Sequence, residues 1–80
     1  MDISYTFHAQ ERMLERKVTE EQIEFALKYY ATSFSTANGG TELRCLFPNG
    51  SLLKVWIVGG IPMGQSVIIK STAWMENLND

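Results

Sequence analysis

His8, Arg12 and Arg16 stand four residues apart, so on a helix they form one stripe. The imidazole is a general acid or base near neutral pH. Two guanidinium groups beside it suit a phosphate and the negative charge of a pentavalent transition state. Cleavage of RNA by its own 2′-hydroxyl, without a metal, uses such parts. The same spacing also describes an ordinary solvated face, with Glu11 and Glu15 interleaved as partners. The residues alone leave both readings open.

A second constellation lies further along the chain. Alternation over residues 41–47, 51–58 and 66–74 places Arg44, Leu46, Lys54, Trp56, Lys70, Thr72 and Trp74 on one strand face. Tryptophans interleaved with cations suit nucleic acid: Trp56 and Trp74 would stack bases, while Arg44, Lys54 and Lys70 would meet phosphates. A register slip of one residue would instead send the tryptophans into the core, and a dimer or partner interface has a similar composition. Cys45, on the apolar side of its strand, reads as a small buried side chain. With one histidine and one cysteine in the chain, no metal site and no cofactor are expected. None of the glycines forms a phosphate-loop motif.

The elements that carry these residues follow from pattern. Residues 7–16 read as a first helix, with Phe7, Gln10, Met13 and Leu14 on one side and the His8 stripe roughly opposite. Thr6 or Ser4 is its candidate N-cap. Thr19 and Gln22 form a capping-box pair, and Glu20 and Glu21 suit the positive end of the helix dipole, so a second helix is expected over 20–30. Asn38-Gly39-Gly40, Pro48-Asn49-Gly50 and the loop from Gly59 to Gln65 divide the remainder into strands near 32–37, 41–47, 51–58 and 66–74. Short connections favour a meander. The expected fold is a single α+β domain over 1–80, with two N-terminal helices on one face of a four-stranded antiparallel meander. Leu43, Cys45, Phe47, Leu53, Val55, Ile57, Val67, Ile69 and Ala73 would meet the helices.

Bulk properties narrow the function classes. Eighty residues form one modest core. The longest apolar stretch, Val55 to Met63, is broken by Gly59, Gly60 and Pro62, which argues against a membrane span. The opening Met1-Asp2-Ile3-Ser4 lacks the pattern of a secretory signal, so a cytoplasmic location is expected. A net charge of −2 and a pI near 5.3 weigh against a wholly basic nucleic-acid binder but allow a local basic patch.

The run His8-Ala9-Gln10-Glu11-Arg12-Met13-Leu14-Glu15-Arg16-Lys17-Val18, followed by Thr19-Glu20-Glu21-Gln22-Ile23, resembles the opening H-A-x-x-R-M-x-x-R-x-[IV]-[ST]-x-x-x-[IV] of a small bacterial domain family of unknown function. Ile69-Lys70-Ser71-Thr72-Ala73-Trp74 resembles that family's closing strand, V-I-T-A-[YW]. The family is similar in architecture to the RelE/ParE plasmid toxins and the wider barnase, EndoU and colicin-RNase group. The resemblance implies a RelE-like toxin fold and a metal-independent endoribonuclease of a toxin-antitoxin system. Its site positions here would be His8, Arg12, Arg16 and Thr72. RNA and a cognate antitoxin are the implied partners. The competing expectation is a non-enzymatic module that binds another protein or forms a homodimer.

Overall fold

The computed structural model describes residues 1–75. It is α+β, with two helices and a five-stranded mixed sheet. The elements run β1 (Asp2–Tyr5), α1 (Phe7–Arg16), α2 (Glu20–Tyr29), β2 (Thr32–Ser35), β3 (Thr41–Leu46), β4 (Leu52–Ile57) and β5 (Ser66–Trp74). Across the sheet the order is β1-β5-β4-β3-β2. The last four strands pair antiparallel, and β1 lies parallel to β5, with Asp2 opposite Ser66 and Tyr5 opposite Ile69.

The first strand corrects the four-stranded expectation. Asp2-Ile3-Ser4-Tyr5 does alternate polar and apolar, but a four-residue run carries little weight in sequence. Its partner lies 64 residues away, beyond both helices, where no turn signal points to it.

Local chemistry accounts for the helices. The Thr6 hydroxyl accepts the Ala9 amide at 3.0 Å and starts α1. Lys17, at φ 57°, ends α1 in the left-handed conformation, and the Val18 amide returns to the Met13 carbonyl at 2.9 Å. Thr19 and Gln22 close the capping box of α2, at 3.1 and 2.9 Å. Ile23, Ala26 and Leu27 of α2, with Ala9 of α1 and Val18, cover Leu43, Cys45, Leu53, Val55, Ile57, Val67 and Ile69 from the sheet. Met13 packs against that core, whereas Phe7 and Leu14, expected beside it, are exposed. At 100° per residue, Ala9 and Met13 define the buried line, and Phe7 and Leu14 fall well to one side of it.

The decisive irregularity is in β5. Trp56 pairs with Ser71 but Ile57 pairs with Ile69, so Lys70 is an extra residue in a β-bulge. Beyond it the alternation reverses. Val67 and Ile69 face the helices before the bulge; Thr72 and Trp74 do so after it. Thr72 and Trp74 therefore do not lie on the open face where simple alternation puts them, and Ala73 takes the side opposite to the one expected.

The bulge also marks where β1 gives way to α1. The Thr6 amide bonds the Ile69 carbonyl at 3.0 Å, and its hydroxyl donates to the Lys70 carbonyl at 3.2 Å. From there α1 runs beside the second half of β5. Arg16 Nη1 donates to the Thr72 carbonyl at 2.9 Å, and Trp74 Nε1 donates to the Arg16 carbonyl at 3.0 Å. The helix thus occupies the edge position that β1 vacates.

Candidate nucleic-acid interface

Because α1 lies along that edge, its polar stripe borders the open face of the sheet instead of pointing away from it. His8, Arg12 and Arg16 from α1 meet Trp56 of β4 and Lys70 and Ser71 of β5 around one open groove of about 450 Å³. The bulge contributes directly, because it turns both Lys70 and Ser71 to this side. Helix stripe and sheet aromatic, separate in sequence, here form one surface.

The charges around the groove are unevenly matched. Arg12 pairs with Glu15 at 2.6 Å, one turn along the same helix. Arg16 is held on the Thr72 carbonyl, which fixes its guanidinium at the edge of the groove. Arg44 and Lys54 stand directly opposite each other, a repulsive arrangement. Arg44 turns to Glu42 at 2.7 Å and stacks 4.5 Å from the Phe34 centroid, while Lys54 lies 5.2 Å from the Trp56 ring centroid. Among the described residues, these two pairs are the only ion pairs. Five of the chain's seven cations, namely Arg12, Arg16, Arg44, Lys54 and Lys70, thus line the groove or its adjoining face. Glu20, Glu21 and Glu24 gather instead at the start of α2. An acidic chain thus carries a cation-rich face, on which Glu15 and Glu42 offset Arg12 and Arg44 and leave Arg16, Lys54 and Lys70 without a carboxylate partner among the described residues.

Compared with protein-family models, curated proteins and solved structures, the chain returns no match. The arrangement of side chains is therefore what carries a functional reading.

Of the residues singled out in sequence, His8, Arg12, Arg16, Trp56 and Lys70 line the groove, and Lys54 adjoins it over the Trp56 ring. Thr72 does not reach it. Its side chain is fully buried, and its hydroxyl donates to the Lys54 carbonyl at 2.8 Å. Only its backbone carbonyl contributes, as the anchor for Arg16. Trp74 lies on the helix side of the sheet, edge-on to Phe47 at 5.6 Å. Ser71 was not singled out in sequence. The signal was the polar pair Lys70-Ser71 interrupting an apolar strand, which is where a bulge puts two adjacent side chains on one face. Cys45 is buried away from the groove, and burial raises its thiol pKa above the ordinary range, so it stays protonated at neutral pH.

The groove also reaches toward the turn before β3. A Cβ on Gly40 would lie 3.6 Å from Lys70 Nζ, so this ammonium spans from β5 to the β2–β3 connection. Asn38 and Gly39 build that connection with φ of 65° and 79°. Lys70 and the α1 cations thus share one groove with Trp56.

Proposed function

We propose that this groove binds single-stranded RNA and that the protein is a metal-independent endoribonuclease of the toxin type. The observation that supports it is the convergence of His8, Arg12 and Arg16 with Trp56, Lys70 and Ser71. A base stacks on Trp56, taking the place of the Lys54 ammonium. Its phosphate sits between the α1 guanidinium groups and Lys70. An open groove with one stacking ring suits an unpaired strand, whose bases can splay outward, better than a stacked duplex.

His8 is the imidazole in the groove and takes the proton of the 2′-hydroxyl. The 2′-oxygen then forms a bond to phosphorus and the bond from phosphorus to the 5′-oxygen breaks. A cyclic 2′,3′-phosphate and a 5′-hydroxyl result, with water supplying the proton to the leaving oxygen. Arg12 and Arg16 stabilise the charge that builds on phosphorus. The α+β layout is compatible with the RelE-like reading, and a cognate antitoxin is the partner that reading supplies.

Fluorescence anisotropy with a labelled, unstructured RNA tests the binding. Trp56→Ala should weaken it roughly 5- to 150-fold, the equivalent of about 1–3 kcal/mol for one stacked base. Arg12, Arg16, Lys54 and Lys70 meeting three or four phosphates give a log–log salt slope of roughly −2 to −3. His8→Ala should retain binding and lose cleavage. Wild-type affinity in Trp56→Ala, or no binding at low salt, refutes the groove as an RNA site. Binding without cleavage by the wild type leaves a binding module in place of an enzyme.

A further inference from the structure

Helix α1 has a second flank, on the side away from the cationic groove. There Tyr5, Gln10, Met13, Leu14, Val18 and Glu20 surround a hollow of about 480 Å³. Leu14 is 84% exposed and Phe7, seven residues earlier on the same side of α1, is 76% exposed. These two are the most exposed large apolar side chains among the described residues, and they lie two turns apart on one side of α1.

The surround is acidic. Glu20, Glu21 and Glu24 lie in the first turns of α2, with Glu20 on the rim of the hollow itself. Burial first, then the charges of Glu20, Glu24 and Glu21, raise the pKa of the Tyr5 hydroxyl; Glu24, one turn beyond Glu20 on α2, borders a separate hollow with Met1, Ile3, Leu27 and Lys28. Lys17, at the turn between the helices, and Lys28, one turn beyond Glu24, are the basic residues to set against these three carboxylates. Two copies joined through the same patch would bring these glutamates together, which disfavours a self-complementary dimer.

We propose that the Phe7–Leu14 flank of α1 docks a basic amphipathic helix of a different protein, its apolar side chains on Phe7, Leu14 and the hollow and its lysines or arginines on Glu20, Glu21 and Glu24. Seven helical residues span about 10 Å, so partner side chains at i, i+3 or i+4, and i+7 match the length of the stripe. The docking face and the RNA groove lie on opposite flanks of one helix, so a partner seated here leaves Trp56 accessible. This proposal stands without the nuclease reading.

The test uses the whole chain and two designed, labelled helical peptides with leucine at heptad a and d positions, one with lysine and the other with glutamate elsewhere. Wild type should bind the lysine peptide and not the glutamate peptide. Leu14→Asp and Phe7→Ser should each weaken binding at least tenfold, and Glu20→Lys combined with Glu24→Lys should reverse the preference. Both apolar positions are exposed, so a circular-dichroism melt matching wild type confirms that these variants are folded. Equal binding by Leu14→Asp, no binding of the lysine peptide, or wild-type self-association abolished by Leu14→Asp overturns the proposal; the last would make the occupant a second copy.

Discussion

Thr72→Val separates a structural threonine from a chemical one. The Thr72 side chain is fully buried, and its hydroxyl donates to the Lys54 carbonyl at 2.8 Å. Removing such a bond costs about 0.5–1.5 kcal/mol net. The methyl that replaces the hydroxyl returns at most about 0.8 kcal/mol of apolar burial. The balance is a destabilisation on the order of 0.5–1 kcal/mol, or a fall of roughly 2–8 °C in Tm for a domain of this size. Thr72→Ser keeps the donor and deletes the methyl, and should lose about as much, because a small void opens beside Val55. Thermal melts and urea midpoints read the stability; RNA anisotropy read in parallel should stay at wild type for both variants. The opposite pattern, unchanged melting with lost RNA binding or cleavage in Thr72→Val, would refute the placement of this hydroxyl away from the groove.

Trp74→Phe removes the bond from Nε1 to the Arg16 carbonyl and should cost about 1 kcal/mol, with amide exchange accelerated in the last turn of α1; unchanged protection there contradicts the tether. Gly40→Ala would place a Cβ 2.8 Å from Thr36 Oγ1 and 3.0 Å from the Ile57 carbonyl. The backbone carbonyl cannot step aside cheaply, so a loss of about 1–3 kcal/mol is expected from the urea midpoint at constant slope. Burial raises the pKa of Cys45, and burial with three nearby glutamates raises that of Tyr5. Both groups keep their protons longer in the fold than in the open chain. Their contribution is complete below the ordinary thiol range and begins to be lost as pH climbs past about 8.5 for the thiol and about 10 for the phenol, measurable as a falling denaturation midpoint. Iodoacetamide should modify Cys45 only at the rate of opening; labelling as fast as a free thiol would contradict its burial.

The helices were readable because their signals are local. Thr19 and Gln22 contact each other within one turn, and the cap at Thr6 needs only Ala9. The hairpin turns were readable for the same reason, since Asn38, Gly39 and Gly50 supply positive φ where the chain reverses. What pattern could not supply was long range. The pairing of Asp2–Tyr5 with β5 joins the two ends of the described chain, and no short connection announces it. The faces of Thr72, Ala73 and Trp74 were misassigned because period-two counting assumes an unbroken strand, and a single inserted residue, Lys70, reverses it. The groove depended on both effects at once. His8, Arg12 and Arg16 were visible as a stripe, but their meeting with Trp56 required α1 to lie along the sheet edge, a matter of tertiary packing.

The handover from β1 to α1 along β5 also bears on solubility. A nine-residue strand with half its edge bare would offer a template on which another chain could polymerise. Here the N-terminal half is paired to β1 and the remainder is plugged by a helix through Thr6 and Arg16. The sheet's outer borders are then β1 and β2, each only four residues long, too short to seed a fibril readily. Loosening α1 from β5 would uncover a longer border, so the contacts that shape the groove also guard the molecule against self-templated assembly.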